Sequence, residues 1–282
     1  MRVAAIAPVL NEVDFVGYSI MAALPGIDSM HYGIDAKSDD GTFELIRMLS
    51  ETAGKGKVFW YKAPVFNIDP MNRIQYNGAF NALIAAAISK KPDAVLFLHP
   101  DQIITNPEQM LDLKDDGALA WFTHMRSFSG DLNTEITKGR VTKWKNMHCP
   151  RFGLEYFGEY GSQNEDFYHK DITGRSYKHY GTEFSKYPFR VADSGIRIEH
   201  FCENKPYKRR FEKMKLCLQT LYPQASDDRI SEMAANHPRV TLERSSAQFG
   251  DFEFTKRQDA VPDVFEKYKN EFDSFKKELV VI

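Results

Sequence analysis

Four short apolar runs alternate with helix-spaced stretches in the first hundred residues, and this alternation constrains the fold most. The runs are Arg2 to Pro8 (RVAAIAP), Met30 to Asp35 (MHYGID), Lys57 to Tyr61 (KVFWY) and Ala94 to Leu98 (AVLFL). Between them, Phe15 to Leu24, Phe43 to Thr52 and Met71 to Ser89 read as helices. Strands that alternate with helices build βαβ units around a mostly parallel sheet. The pattern therefore predicts an α/β fold with helices flanking a mixed, mostly parallel sheet.

Such sheets bind ligands just outside the carboxyl ends of their strands. Those ends place Asn11, Asp35, Asp39 and Asp101 on one edge. The stretch Leu98-His99-Pro100-Asp101 sets an imidazole and a carboxylate where a core strand meets solvent. An anionic oxygen there suits a hard metal ion that bridges phosphates. Pro and Asp are also ordinary turn residues, and Ser38 to Thr42 (SDDGT) equally reads as a turn that caps a helix.

The remaining composition narrows the class. A chain of 282 residues fits one large domain, or one domain with a C-terminal appendage. With 43% apolar and 27% charged residues it is ordinary globular material. A net charge of -2 gives no support to non-specific nucleic-acid binding. Cys149, Cys202 and Cys217 form no CxxC pair, so neither a thiolate zinc site nor a disulfide framework is indicated. Reduced thiols in a cytoplasmic protein are the simplest reading. No stretch approaches the roughly 20 apolar residues of a membrane span. The N-terminus reads as a first strand, not as a signal peptide.

The second half is less regular. Pro107 to Leu113 reads as a short helix and Ala118 to Met125 as a strand. Gly130 to Tyr187 mixes aromatic, polar and glycine residues and suits a loop-rich acceptor surface, with Trp121, Trp144, Tyr156, Phe157 and Tyr160 as stacking candidates. Arg197 to Phe201 reads as a strand and Pro206 to Tyr222 as a basic amphipathic helix. Arg229 to Asn236 and Val264 to Leu279 read as helices, the last a charged surface tail.

Four features occur in order: Ala7-Pro8-Val9-Leu10-Asn11-Glu12; Ile34-Asp35 followed by Ser38-Asp39-Asp40-Gly41-Thr42; Arg73 to Asn77 opening a helix; and Leu96-Phe97-Leu98-His99-Pro100-Asp101. The series resembles the family-2 glycosyltransferases with the glycosyltransferase-A fold. Their N-terminal halves carry P-x-x-N-E, then D-x-S-x-D-G-T, a helix with Arg-Asn, and a hydrophobic run into D-x-D. The resemblance covers residues 1–105, a nucleotide-sugar half. It implies an acceptor half at 106–222, which completes a catalytic domain of 1–222, and a helical C-terminal extension at 223–282.

The resemblance also implies roles. Pro8, Asn11 and Glu12 would lie over the nucleobase and ribose, Asp35 and Asp39 would contact the nucleotide, and Arg73 would join the donor-binding set. Asp101 would be the metal-binding end of D-x-D, whereas His99 replaces its first acid and either meets the sugar or makes no metal contact. Asn164-Glu165-Asp166 resembles the family's E-D motif. Asp166, with Glu165 as second choice, would be the base that deprotonates the acceptor hydroxyl. Glu155, Glu159 and Asp171 compete for that role, and an exposed loop pair is the plainer reading. His200 would complete the metal site, or is a partly buried structural histidine.

In the run Lys205 to Lys215, Lys208, Arg209 and Arg210 would bind the donor diphosphate. A solvated helix face explains the run as well, and Tyr207 and Phe211 leave nucleic acid as a further alternative. The chain lacks the Q-x-x-R-W motif of processive synthases. The implied activity is transfer of one sugar from a nucleotide diphosphate sugar, UDP-linked, to an acceptor hydroxyl, with inversion and with Mn2+ or Mg2+. The acceptor stays open among glycan, small molecule, lipid, protein and modified nucleic-acid base. Two rival classes remain. One is a nucleotidyltransferase, for which the glycine-rich phosphate loop is missing from Pro8 to Glu12. The other is a non-catalytic glycan- or nucleic-acid-binding protein on the same fold.

Overall fold

The computed structural model describes residues 1–63, 73–138, 142–151, 153–157, 166–170, 176–178, 190–201, 204–241 and 253–279. β1 (Val3–Val9) is buried along its whole length. Its side chains point alternately to opposite faces, so one strand serves two cores. Val3, Ala5, Ala7 and Val9 join the first core, and Ala4 and Ile6 the second. β4 (Ala94–Phe97) repeats the division, with Ala94 and Leu96 on one side and Val95 and Phe97 on the other. Apolar runs without a polar phase are what strands covered by helices on both faces require.

The first core is covered by α1 (Val16–Ala23) and α2 (Thr42–Glu51), through Val16, Ile20, Leu45, Ile46 and Leu49. The second is covered by α3 (Arg73–Ile88), through Phe80, Leu83, Ile84 and Ala87. β1 pairs in parallel with β2 (Ser29–Asp35) and with β4, and β2 pairs in parallel with β3 (Val58–Ala63). Beyond β4 the sheet turns antiparallel. It runs through β8 (Lys143–His148), β6 (Ala120–Phe128) and β7 (Thr134–Lys138) to β13 (Glu253–Lys256). β12 (Val191–His200) joins β6 in parallel and β5 (Gln102–Ile104) antiparallel. The short helix α4 (Gln109–Asp112) follows β5. β9 (Leu154–Phe157), β10 (Asp166–Lys170) and β11 (Ser176–Lys178) form a separate antiparallel sheet. α5 (Tyr207–Leu221), α6 (Asp227–Ala235) and α7 (Pro238–Thr241) pack together, with Leu218, Ile230 and Ala234 at their centre. The α/β architecture with a mixed, helix-flanked sheet is as the alternation predicts.

Two stretches differ from the sequence reading. The region expected to be loop-rich, Gly130 to Tyr187, contains the five strands β7 to β11. Polar residues inside the sheet hide the usual alternation there. Asn146 is fully buried, its Nδ2 donates to the Phe97 carbonyl at 3.0 Å, and its Oδ1 accepts from Thr123 Oγ1 at 2.9 Å. The last helix, α8 (Asp263–Leu279), is no solvated tail. Phe265 and Phe272 enter the first core against Tyr18, with ring centroids 4.8 and 4.9 Å away. Gly17 makes room for this: a Cβ there would stand 2.8 Å from Phe272 Cζ. The preceding segment is tied in by Arg257, whose guanidinium holds Glu199 through two bonds of 2.9 and 2.5 Å, both groups buried. Among the described residues no helix is long and apolar enough to cross a membrane.

Candidate functional site

The sheet grows from β1 in two directions, to β2 and β3 on one side and to β4 on the other. Such a switch leaves a crevice outside the carboxyl ends of the strands. The segments that leave β1 and β4 here each deliver a buried carboxylate: Glu12 is 7% exposed and Asp101 1%.

Around Glu12 the two N-terminal motifs form one hydrogen-bonded unit. Asn11 adopts a left-handed backbone, φ 55°, a conformation that asparagine tolerates better than most residues. Its N–H donates to Ser38 Oγ at 3.2 Å, and its Oδ1 accepts from the Asp39 N–H at 3.0 Å. The Glu12 N–H donates to Thr42 Oγ1 at 2.8 Å and the Val13 N–H to Asp40 Oδ2 at 3.1 Å. Asp40 Oδ1 also accepts from the Thr42 N–H at 3.0 Å, at the start of α2. Gly41 turns the chain with φ 91°, and a Cβ on it would stand 2.1 Å from Leu279 Cδ1 at the end of α8. Asp35, 2% exposed at the end of β2, accepts from the Lys37 N–H at 2.9 Å.

A cation closes the crevice from the other end of the chain. Phe201 is fully buried and stacks on Phe15 and Phe128 at 5.7 and 5.1 Å, and its N–H donates to the Asp101 carbonyl at 2.9 Å. This anchor carries the following turn to the carboxylates. Pro206 is the N-cap of α5, and its carbonyl accepts from the Arg210 N–H at 3.1 Å. Lys205 Nζ, 3% exposed, donates to Glu12 Oε1 at 2.6 Å and to Asp101 Oδ2 at 2.9 Å. Two turns on, Lys213 Nζ lies 3.5 Å from Asp101 Oδ2. Between them Arg209 faces Asp40 at 3.4 Å and Asp39 at 3.8 Å.

These contacts set the charges. Burial pushes the Asp101 carboxyl up, but Lys205, Lys213 and His200 outweigh burial and hold it well below the usual carboxylate range. For Glu12 burial wins. Its carboxyl is raised against the pull of Lys205, and the Asp101 charge adds to the rise. His99 is enclosed by Phe97 at 4.5 Å and Trp144 at 5.5 Å, and it stacks toward His200 at 6.0 Å. Burial lowers its imidazole to about 3, so it is a neutral aromatic plate at physiological pH.

A cavity of about 380 Å³ opens here, lined by Asn11, Glu12, His99, Lys205, Arg209 and Lys213 among others. That volume suits a small-molecule site, which typically spans ~300–1,000 Å³. A larger cleft of about 1070 Å³ lies elsewhere, and Arg126, Glu135, Glu199, Arg257 and Asp259 in its wall are bound to one another.

The residues present fit a divalent metal as a two-residue anchor. Asp101 Oδ1 is buried without a hydrogen-bond partner and faces His200 Nε2 at 3.4 Å. One or two protein ligands suffice where substrate phosphates and water complete the shell. Among the described residues no group of three or more His, Cys, Asp or Glu gathers into a full protein cage.

The structure brings Pro8, Asn11, Glu12, His99 and Arg209 to the cavity wall, with Asp101 and His200 facing each other at 3.4 Å behind it. Asp39 is at the rim, its side chain 78% exposed. Lys208 does not reach the cavity: its side chain is 80% exposed and faces Glu212 at 3.8 Å. The Arg210 guanidinium binds the Lys205 and Val240 carbonyls, which makes it a brace for the turn rather than a ligand group. Trp121 and Tyr156 belong to the two cores and not to an acceptor surface. Asp166 opens β10 opposite Phe157, but its side chain lies outside the described residues, as do Glu165, Glu159, Tyr160, Asp171 and the side chains of Arg73 and Phe157. The residues that sequence reasoning missed are Lys205 and Lys213. Helical spacing carries the signal for Lys213, since 209, 213 and the apolar Leu216 fall on one face of α5; Lys205 precedes the helix, and no periodicity marks it.

Neither a protein-family model nor a curated protein matches the chain. Solved structures do. One is glucosyl-3-phosphoglycerate synthase from Mycobacterium tuberculosis with Mn2+, UDP and phosphoglyceric acid, 14% identical over 92% of this chain and 88% of that one, TM-score 0.38. The match to the same enzyme with Mn2+ and UDP-glucose is 18% identical and spans only 44% of each chain, TM-score 0.29. HddC from Yersinia pseudotuberculosis, complexed with GMP-PN, is 11% identical over 71% of this chain and 93% of that one, TM-score 0.34.

Proposed function

We propose that this chain is a glycosyltransferase of the family-2 type that moves one sugar from a nucleotide diphosphate sugar, UDP-linked, to an acceptor hydroxyl with inversion. The observation that carries the reading is the buried group of Lys205, Glu12 and Asp101 at the switch point of the sheet. It borders a cavity lined by Glu12 and Lys205 and, from α5, by Arg209 and Lys213. A diphosphate is the ligand such a face selects, because fixed cations stabilise the charge that develops on a departing phosphate.

In this reading the unit of Asn11 and Ser38 to Thr42 holds the nucleoside, together with Asp35. Lys205, Lys213 and Arg209 orient the diphosphate. Asp101 and His200 would hold Mn2+ or Mg2+, which supplies further positive charge to the leaving group when bound. By resemblance, Asp166 (with Glu165 as the alternative) takes the proton of the acceptor hydroxyl. The hydroxyl oxygen forms its bond to the anomeric carbon as the bond from that carbon to the diphosphate oxygen breaks, and the electron pair leaves on the diphosphate. His99 offers the sugar a neutral aromatic surface.

A panel of nucleotides and nucleotide sugars with Mn2+, scored by thermal shift and by sugar release, tests the reading. A donor should raise the melting temperature as RT ln(1 + [L]/Kd) requires. Asp166→Asn should keep UDP binding and lose transfer. No stabilisation by any nucleotide would overturn the proposal. Binding without sugar release would favour the non-catalytic binding protein.

A further inference from the structure

The two oxygens of Asp101 have different surroundings. Oδ2 is held by Lys205 Nζ at 2.9 Å and Lys213 Nζ at 3.5 Å. Oδ1 has no hydrogen-bond donor and faces His200 Nε2. Glu12 Oε1 accepts from Lys205 Nζ at 2.6 Å with Lys213 Nζ at 4.0 Å, and Oε2 lies 2.5 Å from Lys205 Nζ as an ion pair without hydrogen-bond geometry. Two carboxylates are thus matched by two ammonium groups within the protein itself.

We propose that Lys205 makes metal capture conditional on the diphosphate: the site takes up a divalent cation together with the nucleotide and not before it. The inference rests on the donor-site reading above. A divalent ion that arrives alone adds two positive charges to a site already balanced by Lys205 and Lys213. Repulsion between charges grows as they leave water, and these groups are buried. Lys205 is held at both ends: its Nζ is bound by Glu12 and Asp101 with the side chain 3% exposed, and Arg210 holds its carbonyl. A diphosphate brings the missing negative charge, and Oδ1 is then the open oxygen. The coupling is reciprocal, so metal must strengthen nucleotide binding by the factor by which nucleotide strengthens metal binding.

Titration of the full chain with Mn2+, followed by calorimetry and by the electron paramagnetic resonance signal of free Mn2+, tests this with and without UDP. The wild-type chain should bind bare Mn2+ at least about tenfold more weakly than in the presence of saturating UDP. Lys205→Met should strengthen bare Mn2+ binding by about tenfold and narrow that gap, and Lys205→Arg should preserve it. Circular dichroism reports whether Lys205→Met folds. If it does not, Lys213→Met takes its place and should strengthen bare Mn2+ binding in the same direction. Equal Mn2+ affinity with and without UDP, or unchanged bare-metal affinity in the folded variants, would overturn the inference while the donor site stands. A wild-type chain that binds no UDP at all, with or without Mn2+, would instead remove the donor-site reading and this inference with it.

Discussion

Lys205 Nζ lies 2.9 Å from Asp101 Oδ2, with both side chains almost wholly enclosed. The contact joins the segment that leaves a central parallel strand to the residue just before the N-cap of α5, more than a hundred residues later. It keeps the Asp101 carboxylate ionised and directs its other oxygen toward His200.

Asp101→Asn should keep the fold, since the amide oxygen can still accept from Lys205. It removes the charge that a metal ion and its phosphates require. UDP affinity in Mn2+, measured by calorimetry, should fall at least about 100-fold, the upper end of what loss of a metal's outer partners costs.

Glu12→Ala acts on stability first. It leaves Lys205 buried with one carboxylate in place of two, and removing one partner of a buried ion pair costs about 3–5 kcal/mol. Urea unfolding should show a lower midpoint with an unchanged slope. A midpoint within error of wild type would mean that water already reaches the pair.

Gly41→Ala tests the contact between the donor loop and α8. The left-handed φ of 91° and the approach of Leu279 Cδ1 both oppose a side chain there. A loss of about 1–3 kcal/mol is expected, together with weaker UDP binding. Leu279→Ala in the same chain should recover the part due to the clash and none of the part due to the backbone.

His31 predicts a pH dependence remote from the site. Its Nε2 meets Ser29 Oγ at 3.1 Å and its Nδ1 meets the Tyr61 hydroxyl at 3.2 Å, while Phe59 covers the ring at 5.1 Å. Burial, with a smaller push from Lys90, lowers its pKa from 6.5 to about 4. The unfolded chain therefore takes up the proton first, and stability is lost as pH falls from about 6.5 toward 4. Between pH 7.5 and 5 the loss from this group is about 2 kcal/mol. Denaturation at both pH values checks it, and His31→Gln should flatten that part of the profile.

The parallel half was legible because its physics is local. An all-apolar strand such as Val3 to Val9 announces burial on both faces, and Asn11, Gly41 and Asp101 stand at strand ends where turn chemistry and ligand chemistry coincide. β8 escaped because Asn146 satisfies its amide inside the sheet, which no residue pattern displays. α8 was read as a helix, but its docking into the core escaped for a related reason. Its charges suggested solvent, yet Phe265 and Phe272 recur seven residues apart on one stripe and fill the space that Gly17 leaves. Lys205 was read only as part of a basic run. What singles it out is the aromatic anchor of Phe201, a long-range packing fact.

The order in which the site's charges leave the ribosome follows from the same arrangement. Chains fold from the N-terminus as they are made, so Glu12 and Asp101 emerge long before the lysine that balances them. A nascent chain that ends at β12 has its parallel strands and two acids facing one crevice, with neither Lys205 nor Lys213 to balance them. The parallel half is therefore electrostatically incomplete until the segment that leads into α5 arrives, and that late segment closes the site while α8 still has to fill the core behind it.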